Sequence, residues 1–386
     1  MKKTLIAFAA LSAIAGVAQA QSTVTLYGLV DANLQSLKTN INNGGVVQNM
    51  SQVRIDSAGL NGSRFGFRVS EDLGGGLAAI GNLEAGVNLD TGASGQGGVL
   101  FGRRANVGLS GGFGTVTIGR NSSSFDDVAA DNAMMGQTIF DPSMTNNGNA
   151  ASAAVSALSV SLAPAVPGAT AANAIGFLNR NTSWVGYATR FNNSIKYNTP
   201  NFSGFSGSFM YAFNEDKTPA ASATKTVSAN LKYANGPLLV SGGYQSEGVT
   251  AFAGSGSKPA LENTLISVAY DLGVAKIGAG FNRAKYKDIS ATTNIDAQKE
   301  YNLSVAMPLG AATISAGYAQ SKGDTLGKSN GYGIQALYSL SKRTTLYTGV
   351  QSTKSYDRLA VAVKNTTPAA DVGRVSTFGV GIRHSF

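Results

Sequence analysis

The end of this chain alternates between apolar and polar residues with a period of two. Over residues 378–386 the residues of one parity are apolar except for His384, namely Phe378, Val380, Ile382 and Phe386. Those of the other parity are Gly379, Gly381, Arg383 and Ser385. Because successive side chains of a strand point to opposite faces, the segment predicts a β-strand with one apolar and one polar face. A chain that stops on such a strand favours a membrane β-barrel that closes on its first strand.

The start of the chain predicts export. Lys2 and Lys3 supply positive charge, residues 5–17 are apolar, and Ala18-Gln19-Ala20 has the small residues of a cleavage site. We interpret residues 1–20 as a signal peptide and place the barrel at 21–386. The alternative, a transmembrane anchor, is disfavoured because the apolar core is short for a membrane span.

Composition narrows the class. The chain has no cysteine, which excludes disulfides, thiolate metal sites and cysteine nucleophiles. Its mean hydropathy of +0.01 is what we expect when half of each strand faces lipid and half faces water. A formal net charge of +9 fits either nucleic acid or a lumen that attracts anions. Since an exported chain without a nucleic-acid motif favours the second, we expect no nucleic-acid partner.

Short turns recur between alternating segments. They lie at 72–76, 111–114, 198–201, 235–237, 271–273, 308–310 and 340–343. Their Gly, Asn, Asp and Pro residues are typical of tight reverse turns. These seven turns predict seven hairpins, and the first and last strands bring the total to about sixteen, an even number as in bacterial barrels. The connections at the other end of the strands are longer and polar. They lie at about 36–60, 90–100, 121–180, 214–224, 246–262, 287–299, 321–329 and 355–373.

Individual segments show the same alternation. In residues 63–70, Phe65, Phe67 and Val69 share a parity opposite to Arg64 and Arg68. Segments 77–89 and 302–307 behave alike. A soluble sandwich could produce single examples. The number of such strands, and the near absence of a second apolar set for a sandwich core, favour an all-β, antiparallel up-and-down transmembrane barrel.

Several short segments carry a family resemblance in the same order along the chain. They are 21–28 (QSTVTLYG) with Asp31 after it, 63–66 (SRFG), 71–77 (EDLGGGL), 119–120 (GR), 197–202 (YNTPNF) and 381–384 (GIRH). On these residues the chain resembles the general diffusion porins of β-proteobacteria over residues 21–386. The clear departure is an Ala/Ser/Val-rich stretch at about 149–175, which lengthens the connection between the fifth and sixth strands.

The resemblance implies an architecture and partners. It implies a homotrimer of sixteen-stranded barrels in the outer membrane, each with its own pore, narrowed by an inward-folded third loop. It implies contact with outer-membrane lipid and lipopolysaccharide, and assembly through periplasmic chaperones and the barrel-assembly machinery. Phe386 is then the end of the assembly signal that this machinery reads.

For a diffusion pore, the charges at the narrowest point decide which ions pass. Arg64, Arg104 and Arg190 fall on inward parities, 8 to 10 residues from their turns. At about 3.3 Å per residue and a tilt near 40°, all three lie roughly 20–25 Å above the turns. We expect them to form a basic cluster at the constriction, as the resemblance also implies, and Arg68 and Lys196 to extend it. The alternative is that each arginine merely pairs with a neighbouring carboxylate.

Acidic residues are expected opposite this cluster. Asp126, Asp127 and Asp131 come from the third loop, and Glu84 faces the lumen from the third strand. The alternative for the aspartates is ordinary solvation of a loop. By simple alternation Arg120 points outward, unless a bulge intervenes.

Catalytic patterns are weak. Residues 108–112 spell G-x-S-x-G, but they run into a hairpin turn, and His384 is the only histidine. Residues 323–329 resemble a phosphate-binding loop that is one residue short, without a strand-then-helix context. No His and carboxylate cluster has metal-ligand spacing. We therefore expect neither an enzyme, nor a cofactor, nor a metal.

These features predict a passive, water-filled outer-membrane channel for small hydrophilic solutes, neutral or anionic, with a preference for anions. A substrate-specific channel for one anionic solute is the first alternative. A membrane-embedded hydrolase and a secreted β-sandwich lectin are the others.

Aromatic residues lie near the ends of several strands, for example Tyr27, Tyr211, Phe213, Tyr270, Tyr338 and Tyr347. They suit aromatic girdles at the two membrane interfaces, or they simply reflect the strand propensity of aromatic residues.

Overall fold

The computed structural model describes residues 22–43, 46–143, 183–213, 215, 223–248, 260–287, 296–324, 327–354 and 370–386. The expected signal peptide and the 149–175 stretch lie outside these residues. The strands are β1 (Thr23–Asn43), β2 (Val46–Ser57), β3 (Arg64–Gly74), β4 (Leu77–Gly86), β5 (Arg104–Gly111), β6 (Gly114–Ser122), β7 (Arg190–Asn198), β8 (Phe205–Phe213), β9 (Lys225–Asn235), β10 (Leu238–Gly248), β11 (Ala260–Asp271), β12 (Lys276–Lys287), β13 (Gln298–Leu309), β14 (Ala312–Gly323), β15 (Gly327–Ser339), β16 (Thr344–Lys354) and β17 (Ala370–Ser385).

The strands form one closed antiparallel sheet. Each strand from β3 to β16 pairs with the next in sequence, and β17 returns to pair with residues 29–43 of β1. On its other side β1 pairs with β3 over residues 23–29 and with β2 over residues 32–43. Strands β2 and β3 therefore share one position, interrupted by residues 58–63. The seventeen segments fill sixteen positions of a barrel, which confirms the predicted fold class.

The turns at one end lie where the sequence predicts them. Gly74, Gly75 and Gly76 have φ of 86°, 61° and 78°, a conformation that only glycine adopts without strain. The expected long connection at 36–60 is wrong, because β1 and β2 continue as a paired hairpin to residues 43 and 46. This hairpin is hard to recognise in the sequence because many of its residues are polar. Its backbone groups are nevertheless paired, because hydrogen bonding to the partner strand does not depend on the side chains.

The distribution of polarity is inverted relative to a soluble protein. Large apolar side chains on the outward parity are exposed, including Phe65, Phe67, Leu83 and Ile382. Polar side chains on the inward parity are buried, including Asn33, Gln35, Asn263, Ser267 and Asn302. Such an arrangement is stable only when lipid covers the outside, because exposed apolar strands in water aggregate.

Across the described ranges, no helix has the length and apolar character needed to cross a membrane.

Candidate pore constriction

The connection between β6 and β7 lies inside the barrel. Its outgoing part, residues 123–143, is called here the loop segment, and residues 183–189 the return arm. The backbone amide of Phe125 donates to Ser228 Oγ on β9 (2.8 Å), and that of Met134 to Ser304 Oγ on β13 (2.9 Å). Thr138 Oγ1 donates to Gln335 Oε1 on β15 (2.6 Å). The loop segment thus follows the inner wall from β9 to β15, which confirms the inward-folded third loop.

Glycines on the wall make room for this loop segment. A Cβ atom on Gly333 of β15 would lie 1.9 Å from the Phe140 carbonyl oxygen, and one on Gly278 of β12 would lie 2.4 Å from the Asn132 carbonyl oxygen. Further inward glycines with loop atoms in the place of a Cβ are Gly243, Gly280, Gly317, Gly349 and Gly379. This set, together with Gly278 and Gly333, forms a glycine track. The glycine track was not predicted from the sequence, because no local pattern distinguishes these glycines from others in strands.

The return arm is held by buried carboxylates. Val185 N donates to Glu300 Oε1 (2.6 Å) and Ala188 N donates to Glu247 Oε2 (2.8 Å). Both ends of the connection meet, because Ser183 N and Ser183 Oγ donate to the Pro142 carbonyl oxygen at 2.9 and 2.7 Å. The residues on either side of 144–182 are therefore fixed to each other as well as to the wall.

Two small apolar clusters fill the space between the loop and the wall. Phe125 and Tyr187 pack edge to face with ring centroids 4.8 Å apart, in a cluster with Ala129, Trp184, Leu265 and Ala319. Phe140 packs with Leu60, Met135 and Tyr347. Buried apolar packing of this kind gives the loop one position, because each side chain has a shaped site.

The inner wall of β3 to β5 carries a group of arginines around one carboxylate. Arg103 Nε lies 2.7 Å from Glu84 Oε1, and Arg64 Nε lies 3.8 Å from Glu84 Oε2. The charge of Arg103 acts on both Arg64 and Arg190. Arg103 immediately precedes β5 and is not among the residues predicted from the sequence. Its position beside Arg104 is the only signal for it in the sequence.

Glu84 lies beside the arginines, so the expectation that it opposes them is wrong. It is on β4, next to β3 in the sheet, and Tyr27 Oη also donates to its Oε2 atom (2.8 Å). Parity alone predicted the face correctly, but not which neighbours share it. One carboxylate serves two arginines here, which leaves an excess of positive charge on this wall.

Arg104 is exposed on the inward parity of β5. It lines a cavity of about 290 Å³ together with Asn106, Lys196 and Asp127. Arg190 Nη1 donates to Thr189 Oγ1 (2.9 Å), and its charge acts on Glu84 and Asp126. The structure thus brings the arginines at 64, 103 and 190 into one group, and it places Arg104 close enough to act on Arg64.

Arg68 and Lys196, which were expected to extend the basic cluster, have different surroundings. The Arg68 guanidinium lies over the Tyr27 ring, 4.2 Å from its centroid. Lys196 is buried, with its Nζ 2.6 Å from Asp127 Oδ2 and 3.1 Å from the Ser122 carbonyl oxygen. Its charge is therefore paired with the loop segment and with the end of β6.

The aspartates of the loop segment are anchors. Asp127 pairs with Lys196, Asp131 Oδ1 lies 2.9 Å from Lys232 Nζ on β9, and Asp126 Oδ1 accepts a hydrogen bond from Tyr187 Oη (2.8 Å). Burial raises the pKa of Asp126, against the hydrogen bond from Tyr187 and the charge of Arg190. Each of the three aspartates is therefore engaged by a neighbouring side chain. That they oppose the basic cluster across the pore stays a prediction.

The pairing of β6 with β7 shifts register between Gly119 and Asn121. This shift is a β-bulge at Arg120, and simple alternation of the strand does not take it into account. Gly119 has φ 123°, and Arg120 donates to the Gly102 carbonyl oxygen (2.7 Å) and to Asn192 Oδ1 (2.6 Å). The side chain thus connects the segment before β5 to strand β7.

Two tyrosines expected at the interfaces lie inside. Tyr27 bonds Glu84, and Tyr347 Oη donates to Asp31 Oδ1. The Asp31 carboxylate also accepts from the amides of residues 59, 60 and 61, which fixes the break between β2 and β3. Ile139 N donates to the Gly59 carbonyl oxygen (3.0 Å), so this break supports the far end of the loop segment.

Two features of the chain end have visible contacts. Phe386 exchanges backbone hydrogen bonds with Gly28 (3.0 and 3.2 Å), and His384 on the outer face lies 2.9 Å from Thr344 Oγ1.

The G-x-S-x-G spelling ends in the β5–β6 turn as expected, while residues 325–326 of the phosphate-loop-like segment lie outside the described residues. Among the described residues, no group of three or more His, Cys, Asp or Glu could hold a metal ion.

Comparison with known proteins supports a channel. A family model described as Gram-negative porin matches residues 7–358. Outer membrane porin protein 32 of Delftia acidovorans is 32% identical over 295 residues, 74% of this chain and 71% of that protein. An outer membrane porin protein of Bordetella pertussis is 30% identical over 306 residues, 73% of this chain and 69% of that protein.

Solved structures agree. The anion-selective porin from Comamonas acidovorans has 27% identity and a TM-score of 0.72, covering 95% of this chain and 100% of its own. OmpT of Vibrio cholerae, 16% identical with a TM-score of 0.59 over 96% of this chain and 99% of its own, shares the fold.

The chain belongs to the Gram-negative porin family. It is accordingly a passive diffusion channel of the outer membrane, which confirms the resemblance drawn from the sequence.

Proposed function

We propose that the channel prefers anions and passes small hydrophilic solutes, anionic or neutral. The observation that carries this proposal is the arginine wall: Arg64 and Arg103 share Glu84, and Arg190 and Arg104 add two further cations beside them. Arginine keeps its charge at all physiological pH, so the wall stays positive. The anion-selective porin of similar structure points the same way.

The aspartates of the loop segment add little negative charge to the path. Asp127 and Asp131 pair with Lys196 and Lys232 of the barrel, and Asp126 accepts a hydrogen bond from Tyr187 Oη. An ion passing the loop segment therefore meets excess positive charge from the arginine wall and mostly paired or hydrogen-bonded groups from the loop segment. Such weak, distributed attraction draws anions in without trapping them. Solutes move down their own gradients, so the proposal needs neither a catalytic group nor a cofactor.

Reversal potentials in planar bilayers test this proposal. Replacing Arg64, Arg104 and Arg190 together by glutamine should move the reversal potential in a salt gradient towards zero, because the fixed charge is lost. A matched control removes the same charge outside the lumen, at Lys225, Lys342 and Arg343, and should leave the potential unchanged. An unchanged potential in the first variant would show that the arginines do not set selectivity. Saturation of conductance by a single anion would instead favour the substrate-specific channel.

We also propose that three barrels assemble as a homotrimer and that Phe386 ends the signal read by the barrel-assembly machinery, helped by periplasmic chaperones. The family supports the trimer, and the exposed terminal ring supports the signal, since half of its surface is accessible. Cross-linking in outer-membrane fractions tests the trimer: a ladder that ends at three subunits supports it, and monomer alone contradicts it.

A further inference from the structure

The two ends of the chain meet beside the far end of the loop segment. Asp31 lies on β1, which pairs with the terminal strand β17, and its side chain is completely buried. Its Oδ2 atom accepts from the backbone amides of Leu60 and Asn61 (2.8 and 2.7 Å), and its Oδ1 atom accepts from that of Gly59 (3.1 Å). Among the residues that the structure describes, Asp31 forms no ion pair. Hydrogen bonds therefore stabilise its buried charge.

Tyr347 supplies a further hydrogen bond from the C-terminal part of the chain. It lies on β16, and its hydroxyl group donates to Asp31 Oδ1. Because β17 lies between β16 and β1, the tyrosine side chain has to cross that strand. Gly381 of β17 is opposite Tyr347 in register, and a Cβ atom on this glycine would overlap the tyrosine ring. The contact thus joins three neighbouring strands, and it requires that β1 and β17 are already paired.

The break between β2 and β3, residues 58–63, is folded against Asp31. Ala58 has a φ of 68°, a left-handed conformation that is uncommon for residues other than glycine. Such a conformation persists where the surrounding contacts determine the backbone. Here Ala58 N and Ser63 Oγ both donate to the Asp31 carbonyl oxygen, at 2.9 and 3.1 Å. Asp31 therefore holds the break with its backbone as well as with its carboxylate.

The break in turn holds the loop segment. Ile139 N donates to the Gly59 carbonyl oxygen (3.0 Å), and Leu60 packs in the cluster of Met135, Phe140 and Tyr347. The rings of Phe140 and Tyr347 pack edge to face, with centroids 6.3 Å apart. The loop segment thus rests on the tyrosine ring directly, and on the tyrosine hydroxyl through the carboxylate and the break.

We propose that the contact between Asp31 and Tyr347 positions the far end of the loop segment and thereby helps to set the width of the pore. Neither residue belongs to the arginine wall, so both act as positioning residues and leave the ion preference to the arginines. A consequence is that the pore reaches its final width only after the first and last strands have paired.

Asp31→Asn tests the proposal because it replaces one carboxylate oxygen by an NH2 group. Whichever way the new amide turns, this group faces a backbone N–H that the oxygen accepted from, which leaves buried donors unpaired. Met135→Cys, at a buried position of the loop segment, supplies a reporter thiol, since the chain has no cysteine. In folded barrels a water-soluble maleimide should label it about tenfold faster with Asp31→Asn than without, which corresponds to one unpaired buried donor. Without the reporter, Asp31→Asn should raise the single-channel conductance.

Glu262 and Tyr244 offer a matched control. Tyr244 Oη donates to Glu262 Oε1 (3.0 Å), so they too join a phenol to a carboxylate, but they lie on the outer face of the barrel. Glu262→Gln should leave the labelling rate of the reporter within about twofold, as is usual for substitutions away from buried contacts. Tyr347→Phe keeps the ring, removes the hydroxyl and should also accelerate labelling. Combined with Asp31→Asn, it should accelerate labelling by less than the product of the two separate factors, because both changes act through one contact.

Heat-modifiable migration shows that the barrel of each variant is closed before it is labelled. If Asp31→Asn does not fold, Tyr347→Phe carries the test alone. Labelling at the unmodified rate in the closed variants of Asp31 and Tyr347 would overturn the proposal. An equal acceleration by Glu262→Gln would overturn it too, since it would show general loosening of the barrel.

Discussion

Glu84 sets how much of the positive charge on the arginine wall is available to passing ions. Its two oxygens meet Arg103, Arg64 and Tyr27, so one negative charge is shared among several donors. We therefore expect Glu84, an acidic residue, to reduce the anion preference that the arginines produce.

Glu84→Gln should make the pore more anion-selective, because an uncompensated arginine pair attracts anions more strongly. The reversal potential in a salt gradient should shift further in the anion direction than that of the unmodified channel. Glu71→Gln removes the same charge from the exposed end of β3 and serves as the control. A shift towards cations would mean that Glu84 holds the arginines in their working geometry.

Asp126 gives the loop segment a predictable response to pH. Its pKa is raised by burial above the ordinary value of 3.8, so its folded form prefers the proton. The stability associated with the protonated group is fully present below 3.8 and is lost as the pH rises through the raised pKa. Asp126→Asn, which can still accept from Tyr187, should be at least as resistant to thermal unfolding as the original at pH 7. The two should converge in acid, and a less stable variant at pH 7 would contradict this.

At the scale of elements, the glycine track decides where the loop segment lies. The closest approach is at Gly333, where backbone meets backbone and neither side can yield cheaply. Glycine matters here for the space it leaves, since added atoms in a packed site typically cost about 1–3 kcal/mol.

Gly333→Ala should displace the loop segment from β15 while the barrel remains closed. We expect a larger single-channel conductance and a lower melting temperature, because Phe140 loses its site. Gly242→Ala on β10 is the matched control, since the nearest atom to its new Cβ is 3.7 Å away. An unchanged conductance with alanine at 333 would show that the loop adjusts without widening the pore.

The elements that sequence reasoning predicted are those governed by local rules. Tight turns and period-two alternation depend on neighbouring residues, so the strands, their faces and the inward parity of Arg64 and Arg104 follow from the sequence. Partnerships across the lumen do not. The pairing of Asp131 with Lys232 and the role of Gly333 depend on which wall the loop crosses, and no spacing in the chain encodes this.

At the scale of the whole molecule, the barrel is closed by a seam between its two ends. Strands β1 and β17 pair over residues 29–43, and Phe386 and Gly28 exchange hydrogen bonds at its lower end. A Cβ on Gly28 would lie 2.3 Å from Phe386 Cζ, so the terminal ring covers this glycine. Closure removes the last exposed sheet edges, which would otherwise template aggregation.

Deleting Phe386 should reduce the folded, heat-modifiable fraction in outer-membrane preparations, because both the seam contact and the terminal aromatic are lost. Phe386→Tyr keeps the ring and should restore the folded fraction. If the truncated chain inserts as well as the full-length chain, the terminal aromatic has no role in assembly.

The hydrogen bonds between Ser183 and Pro142 have a consequence for the evolution of this channel. Because the chain departs from and comes back to one fixed point, the span between can grow or shrink through insertions and deletions while both anchors stay still. The wall contacts of the loop segment and of the return arm can therefore be inherited unchanged while the sequence between them diverges.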